Sequence, residues 1–146
     1  MSFGVVDQVR EAAEEIFPRH PVALAYLYGS QATGSATPLS DVDIAVVTDT
    51  LLPPRERLRL ELGLETELAT RLKRQVDVRI INTAPLAVKG KIVGNGALLF
   101  AREEAFRLDF ETAVRDRYFD FLPVERYHRR AYFDAQRAAL QKQDSL

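Results

Sequence analysis

The sequence predicts a single mixed α/β domain, in which a small mixed sheet is flanked by helices and followed by a C-terminal helical hairpin. Three observations predict this class. The 146 residues, of which 47% are hydrophobic, suffice for one core but not for two domains of ordinary size. Short apolar runs bounded by Gly or Pro alternate with longer stretches of helical periodicity. After residue 101, aromatic residues recur at helical spacing.

The first part of the chain predicts a helix, a strand, a loop and a second strand. Apolar residues between Val5 and Phe17 recur every three or four positions, which is typical of an amphipathic helix that ends at Pro18. The apolar run Val22–Tyr28 lies between breakers and predicts a buried strand. Residues 29–40 are rich in Gly, Ser and Thr and predict a loop, and Asp41–Val47 predicts the second strand.

The middle of the chain predicts a helix, a third strand and a shorter helix. Proline is tolerated in a first helical turn, so Pro53-Pro54 is well placed to open a helix. Polar and apolar residues alternate over Gln75–Ile81, which ends in two isoleucines, and this pattern predicts a strand. A helix is predicted over Ala84–Val93, and a turn over Gly94–Gly96. The apolar face predicted for the helix after the two prolines consists of Leu58, Leu62, Leu68 and Leu72.

The last part of the chain predicts the helical hairpin. After the turn and the apolar segment Ala97–Phe100, helical spacing of aromatic residues extends over Arg102–Leu122 and Val124–Leu140. Pro123 separates the two stretches, because proline interrupts a helix interior.

Composition excludes several classes of function. The chain has 20 Lys and Arg against 21 Asp and Glu, so its charge does not favour direct binding to nucleic acid or to an anionic membrane. It has no Cys and only two His, so any catalytic metal has to be held by carboxylates. No apolar run approaches the roughly 18–20 residues of a membrane span, and the N-terminal residues lack the pattern of a signal peptide. We therefore expect a soluble, cytoplasmic protein.

Three aspartates are the candidate metal ligands. Asp41 and Asp43 are two residues apart at a predicted strand, so both carboxylates project to one face. Two neighbouring anions repel unless a cation lies between them, and carboxylate oxygens suit Mg²⁺ or Mn²⁺. Asp77 lies between two valines in another predicted strand and could reach the same face. Three carboxylates on one face make a two-metal site plausible.

The Gly29-Ser30 dipeptide at the end of the first predicted strand is a candidate phosphate-binding turn. Glycine lets backbone N–H groups approach a phosphate, and a serine hydroxyl can donate a hydrogen bond to one of its oxygens. The following residues contain neither the Gly-Lys-Ser of a Walker loop nor the three-glycine dinucleotide fingerprint.

The motif as a whole resembles a known signature. Gly29-Ser30, a ten-residue gap and Asp41-Val-Asp43, followed further along the chain by Asp77 between valines, resemble the signature of the DNA polymerase β nucleotidyltransferase superfamily. Over its full length the chain resembles the minimal nucleotidyltransferases, the MntA-type antitoxins that are encoded beside HEPN-domain toxins. The resemblance implies one minimal nucleotidyltransferase domain over residues 1–146, with a catalytic α/β core (1–100) and C-terminal helices (101–146).

The resemblance also implies roles for the five motif residues. Asp41 and Asp43 would bind two Mg²⁺ ions, with Mn²⁺ as a possible substitute, and Asp77 would complete the second metal site and help to activate the attacking hydroxyl. Gly29 and Ser30 would hold the triphosphate of ATP. The implied reaction is transfer of AMP from ATP to a tyrosine of a cognate HEPN ribonuclease toxin, which neutralises the toxin.

Three other functions remain open at this point. The protein could neutralise its partner by contact alone, with a vestigial site. It could modify a small molecule such as an aminoglycoside, although that activity normally requires a second substrate-binding domain. A template-independent polymerase is disfavoured by the balanced charge.

Overall fold

The computed structural model describes residues 4–29 and 41–118 of the chain. The helices in these ranges are α1 (Val5–Ile16), α2 (Pro54–Leu72), α3 (Leu86–Asn95) and α4, which begins at residue 104 and is described to residue 118. The strands are β1 (Val22–Tyr28), β2 (Val42–Thr48), β3 (Val76–Ile80) and β4 (Ala97–Ala101). No described helix is both long and apolar enough to cross a membrane.

The four strands form one mixed sheet in the order β3-β2-β1-β4. β1 pairs antiparallel with β2 and β4, whereas β2 and β3 are parallel. A parallel pair needs a crossover connection, and α2 supplies it between β2 and β3. The predicted small mixed sheet with flanking helices is confirmed.

Helices cover both faces of the sheet. On one face, buried residues of α1 and α2 such as Val9, Ile16 and Leu68 pack against alternate strand residues. On the other face, Ile92 of α3 and Phe106 of α4 pack against the remaining strand residues. Because successive strand residues point to opposite faces, β1, β2 and β4 contribute to both layers of core, whereas β3 contributes apolar residues to the first layer and presents Asp77 and Arg79 on the other face.

Arg102, just after β4, ties the end of the first helical segment to the sheet. A 3-10 turn follows α1, and Arg102 donates hydrogen bonds to carbonyl oxygens at the end of this turn and at the start of β1. Its guanidinium also lies 5.7 Å from the centroid of the Phe100 ring, within the range of a cation–π contact. These bonds join the segment between α1 and β1 to the residue that follows β4.

The apolar face predicted for α2 was partly wrong. Leu58 and Leu62 are 57% and 53% exposed, whereas Leu64 and Leu68 are fully buried. The buried residues belong to a stripe of leucines spaced by four, from position 60 to position 72, which faces the sheet. α2 carries leucine on more than one side, so the packing against the sheet decides which side is buried.

Smaller differences concern element ends. Asp41 lies just before β2 rather than inside the strand, and Gly94 belongs to the last turn of α3 rather than to a separate turn. The segment Arg102–Leu122 is helical from residue 104 as far as it is described. Ser30, with the rest of the loop, and the second helix of the predicted hairpin lie outside the described residues.

Candidate active site

Asp43 lies in β2, one of the two central strands of the sheet. One residue of each neighbouring strand lies directly beside it. The register pairs Asp43 with Tyr28 of β1 on one side and with Asp77 of β3 on the other. Residues paired across neighbouring strands point to the same face of the sheet. Asp43 and Asp77, which are far apart in sequence, are therefore adjacent in space.

The parallel register of β2 and β3 is fixed at both ends. At the start of the pair, the backbone N–H of Val42 donates to the carbonyl of Gln75 at 3.0 Å. At the other end, the Asn82 side chain accepts a hydrogen bond from the N–H of Thr48 and donates one to its carbonyl, both at 2.9 Å. A slip by one residue would move Asp77 to the other face, so these bonds preserve the juxtaposition.

A side chain of α2 also holds β3 in place at the edge of the described sheet. The carboxylate of Glu65 accepts a hydrogen bond from the backbone N–H of Val78 at 2.9 Å. This bond satisfies a backbone group beside Asp77 that β2 does not pair, and it fixes the helix against the strand. The position of Asp77 thus depends on the crossover helix as well as on the ladder.

The three predicted aspartates act on one another electrostatically. Asp41 is exposed two positions before the half-buried Asp43. Burial raises the pKa of Asp43, and the negative charges of Asp77 and Asp41 raise it further. The guanidinium of Arg79 opposes this shift. Mutual repulsion of this kind would be relieved by a bound cation.

Arg79 lies on the same face of β3 as Asp77, two residues along the strand. Its Nε atom is 3.5 Å from a carboxylate oxygen of Asp77, and the two side chains are 66% and 43% exposed. An ion pair this exposed contributes little to stability. It does place a positive charge beside the carboxylates.

Gly29 makes the closest approach to Asp43. It has a φ of 73°, a left-handed conformation that glycine adopts readily and other residues adopt at a cost. A Cβ atom at this position would lie 2.7 Å from Oδ2 of Asp43. Glycine is therefore required both by the turn that follows β1 and by the carboxylate beside it.

A cavity of about 250 Å³ opens beside Gly29. Two larger cavities, of about 590 and 320 Å³, have walls formed mainly by α1, α2 and neighbouring loops, and none of the predicted site residues lines them. Size alone does not identify the site, because the smaller cavity is the one lined by Gly29, which lies against Asp43. Its lining residues are Tyr28, Gly29, Lys91, Ile92, Asn95 and Gly96.

The donor chemistry of the aspartates fits a divalent cation, because Asp43 and Asp77 share one face of the sheet and the charges of Asp41 and Asp77 both act on Asp43. Among residues 4–29 and 41–118, however, no three acidic, histidine or cysteine side chains are grouped as a preformed metal site. The carboxylate of Asp77 faces Arg79 instead. The described residues thus include suitable metal ligands, but their carboxylates are not already grouped around one metal position.

Sequence reasoning missed two neighbours of the aspartates, Tyr28 and Arg79, and one residue of the cavity beside Gly29, Lys91. Tyr28 lies opposite Asp43, and burial together with the charges of Asp43 and Asp77 raises the pKa of its hydroxyl. Arg79 could have been found from the two-residue period of β3, which places it beside Asp77. Lys91 had no such signal, because its position depends on how α3 packs against the sheet.

The asparagine variant of Asp43 is expected to be more stable than the wild-type chain when no metal is present. The raised pKa means that the ionised carboxylate costs stability above the folded-state pKa. Asp43→Asn removes this cost, and we expect Tm at pH 7 to rise by about 2 °C. The difference should vanish below the ordinary aspartate pKa of 3.8, where both folded and unfolded wild-type chains are protonated. Thermal unfolding of both proteins in EDTA between pH 3.5 and 8 measures it, and a lower Tm for the variant at pH 7 would contradict it.

Comparison with known proteins identifies the family of this chain. Residues 11–105 match the family described as "Polymerase beta, Nucleotidyltransferase". No curated protein matches the chain.

Several solved structures share the fold. A chain of a toxin–antitoxin crystal structure with AMP-PNP is 24% identical, with a TM-score of 0.60 over 84% of this chain and 92% of the other. A chain from a mutant of the MntA–HpeT toxin–antitoxin pair is 27% identical, with a TM-score of 0.57 over 82% and 89%. A chain from a complex of the tri-AMPylated Shewanella oneidensis HEPN toxin with the MNT antitoxin is 24% identical, with a TM-score of 0.56 over 81% and 92%.

The family match covers more than half of the 146 residues, including β1 to β4 and the three aspartates. The resemblance noted from the Gly-Ser and Asp-x-Asp motif is confirmed at the level of family and fold. The chain belongs to the polymerase beta nucleotidyltransferase family.

Proposed function

We propose that the chain is an antitoxin that transfers AMP from ATP to a tyrosine of a HEPN ribonuclease toxin in the cytoplasm and thereby neutralises it. The observation that carries this proposal is the position of Asp43 between Gly29 and Asp77. The toxin–antitoxin structures with AMP-PNP and with a tri-AMPylated HEPN toxin support the choice of nucleotide and partner.

The proposed roles follow the positions of the side chains. Asp41 and Asp43 would hold two Mg²⁺ ions, and Asp77, which lies beside Arg79, would complete the second site. When bound, the two ions neutralise charge on the attacking and leaving oxygens of an in-line displacement. Gly29 and Ser30 hold the triphosphate, with Gly29 exposing backbone to the phosphates where a side chain would intrude on Asp43.

The reaction exchanges one bond to phosphorus for another. The tyrosine oxygen of the partner attacks the α-phosphorus, the bond from this phosphorus to the bridging oxygen breaks, and pyrophosphate leaves. The hydroxyl proton passes to the carboxylate of Asp77. Neither the Gly-Ser nor the Asp-x-Asp motif contains a histidine, so Asp77 is the base that the proposed site offers.

Transfer of label from ATP tests the proposal. The chain, co-purified with a co-expressed HEPN protein from the same genome, is incubated with Mg²⁺ and ATP labelled at either the α- or the γ-phosphate. We expect label on the HEPN protein from α-labelled ATP, none from γ-labelled ATP, and none after EDTA is added. Mass spectrometry should place AMP on a tyrosine. Failure of the wild-type chain to transfer label from α-labelled ATP would refute the enzymatic proposal, and label from γ-labelled ATP would indicate phosphoryl transfer instead.

A further inference from the structure

Among the described residues, one cationic side chain lies in the wall of the cavity beside Gly29. Lys91 of α3 lines it together with Asn95. The two residues are four positions apart, so they lie on the same side of the helix, one turn from each other. Within the described residues Lys91 forms no ion pair, whereas Arg79, the cation nearest Asp77, is engaged with that carboxylate.

The end of α3 is held close to the end of β1. The backbone N–H of Gly96 donates to the carbonyl of Ile92 at 2.7 Å. A Cβ at Gly96 would lie 2.5 Å from that carbonyl oxygen and 3.0 Å from the carbonyl oxygen of Leu27. These are backbone atoms and cannot move aside cheaply. The close approach therefore fixes the base of the Lys91 side chain relative to Gly29, two residues after Leu27.

The negative charge of the aspartates means that a bound polyphosphate needs positive charge close to it. Asp41, Asp43 and Asp77 form an anionic patch, which repels a polyphosphate except where metal ions or basic side chains intervene. Metal ions at the aspartates would neutralise charge near the α-phosphorus. The β- and γ-phosphates carry most of the negative charge of the triphosphate, and a lysine ammonium is a common ligand for such phosphates that can act beside backbone donors.

We propose that Lys91 binds the β- and γ-phosphates of the nucleoside triphosphate in the cavity beside Gly29. This inference rests on the proposed function, because it assumes that the aspartates hold the reacting end of a nucleotide. It adds a binding residue outside the Gly-Ser and Asp-x-Asp motifs. Asn95 forms the same wall one turn further along the helix.

The test compares nucleotides with and without the distal phosphates. Dissociation constants for ATP and AMP are measured with Mg²⁺ by calorimetry for the wild-type chain and for Lys91→Gln, Lys91→Arg and Lys89→Gln. Lys89 is a matched control, because it carries the same charge on the same helix but does not line the cavity. KM for ATP and kcat are measured in the label-transfer assay.

We expect Lys91→Gln to weaken ATP binding roughly 10- to 100-fold, the usual loss for a charge-assisted hydrogen bond, and to leave AMP binding unchanged. Lys91→Arg should recover most of the affinity, and Lys89→Gln should behave as wild type. Equal ATP affinity in Lys91→Gln and Lys89→Gln, with normal label transfer by the wild type, would overturn the role of Lys91 alone. A wild-type chain that neither binds ATP nor transfers label would refute the proposed function and this inference with it.

Discussion

The chain that carries both Asp41→Asn and Asp43→Asn is expected to transfer AMP at least about 1000-fold more slowly than the wild type. Two proposed metal ions depend on these carboxylates, and losing several kcal/mol of transition-state stabilisation lowers a rate by this order. The measurement is the initial rate of label transfer from α-labelled ATP to the HEPN protein. Because burial and the neighbouring acidic charges disfavour the ionised form of Asp43 and raise its pKa, the double variant should still fold and should melt no lower than the wild type without metal.

A second double variant controls for the change in net charge. Asp49 and Asp109 are exposed and lie outside the candidate site, so Asp49→Asn with Asp109→Asn removes the same two charges. We expect this control to label the partner at close to the wild-type rate. Equal rates for all three proteins would show that Asp41 and Asp43 do not carry the chemistry.

The variant with Asp41→Asn and Asp43→Asn also separates catalysis from neutralisation by contact. When it is co-expressed with the HEPN toxin, we expect growth to remain inhibited, because the toxin is bound but not modified. Full rescue of growth together with an unmodified toxin would favour the contact-only function. Co-purification of the variant with the toxin checks that the complex still forms.

Much of the fold could be predicted from local patterns. The run Val22–Tyr28 coincides with β1 because breakers bound it and six of its seven residues are buried. The alternation predicted a shared side for Asp41 and Asp43; Asp43 lies in β2, whereas Asp41 precedes the strand and acts on Asp43 through its charge. The convergence of Asp77 on Asp43 required one more step, the parallel pairing of β2 with β3 across α2.

What could not be predicted depends on contacts between elements. Leu58 and Leu62 have the same local spacing as buried leucines, and only the packing of α2 on the sheet leaves them exposed. Lys91 looks like any surface lysine until Gly96 brings the end of α3 against β1. Side chains placed by packing between distant segments leave no periodic signal in the sequence.

Gly29→Ala is expected to lower the rate of AMP transfer about 100-fold while the protein stays folded. A non-glycine residue in the left-handed conformation of Gly29 costs roughly 1–2 kcal/mol, and the new Cβ would lie 2.7 Å from Oδ2 of Asp43. Either the turn or the carboxylate has to shift, and a displacement of about 1 Å in a reacting geometry can cost 100-fold in rate. Steady-state kinetics with α-labelled ATP measure the effect, and circular dichroism confirms the fold.

Gly63→Ala is the matched control for this substitution. Gly63 lies inside α2, and a Cβ there would meet no atom within 4 Å, so alanine should stabilise the helix by roughly 0.5–1 kcal/mol. We expect a higher Tm and an unchanged rate for Gly63→Ala, against a lower Tm and a much lower rate for Gly29→Ala. In Gly29→Ala, backbone strain and the contact with Asp43 both disturb the turn after β1. If this variant kept a rate within twofold of the wild type, the turn would therefore not be part of the catalytic geometry.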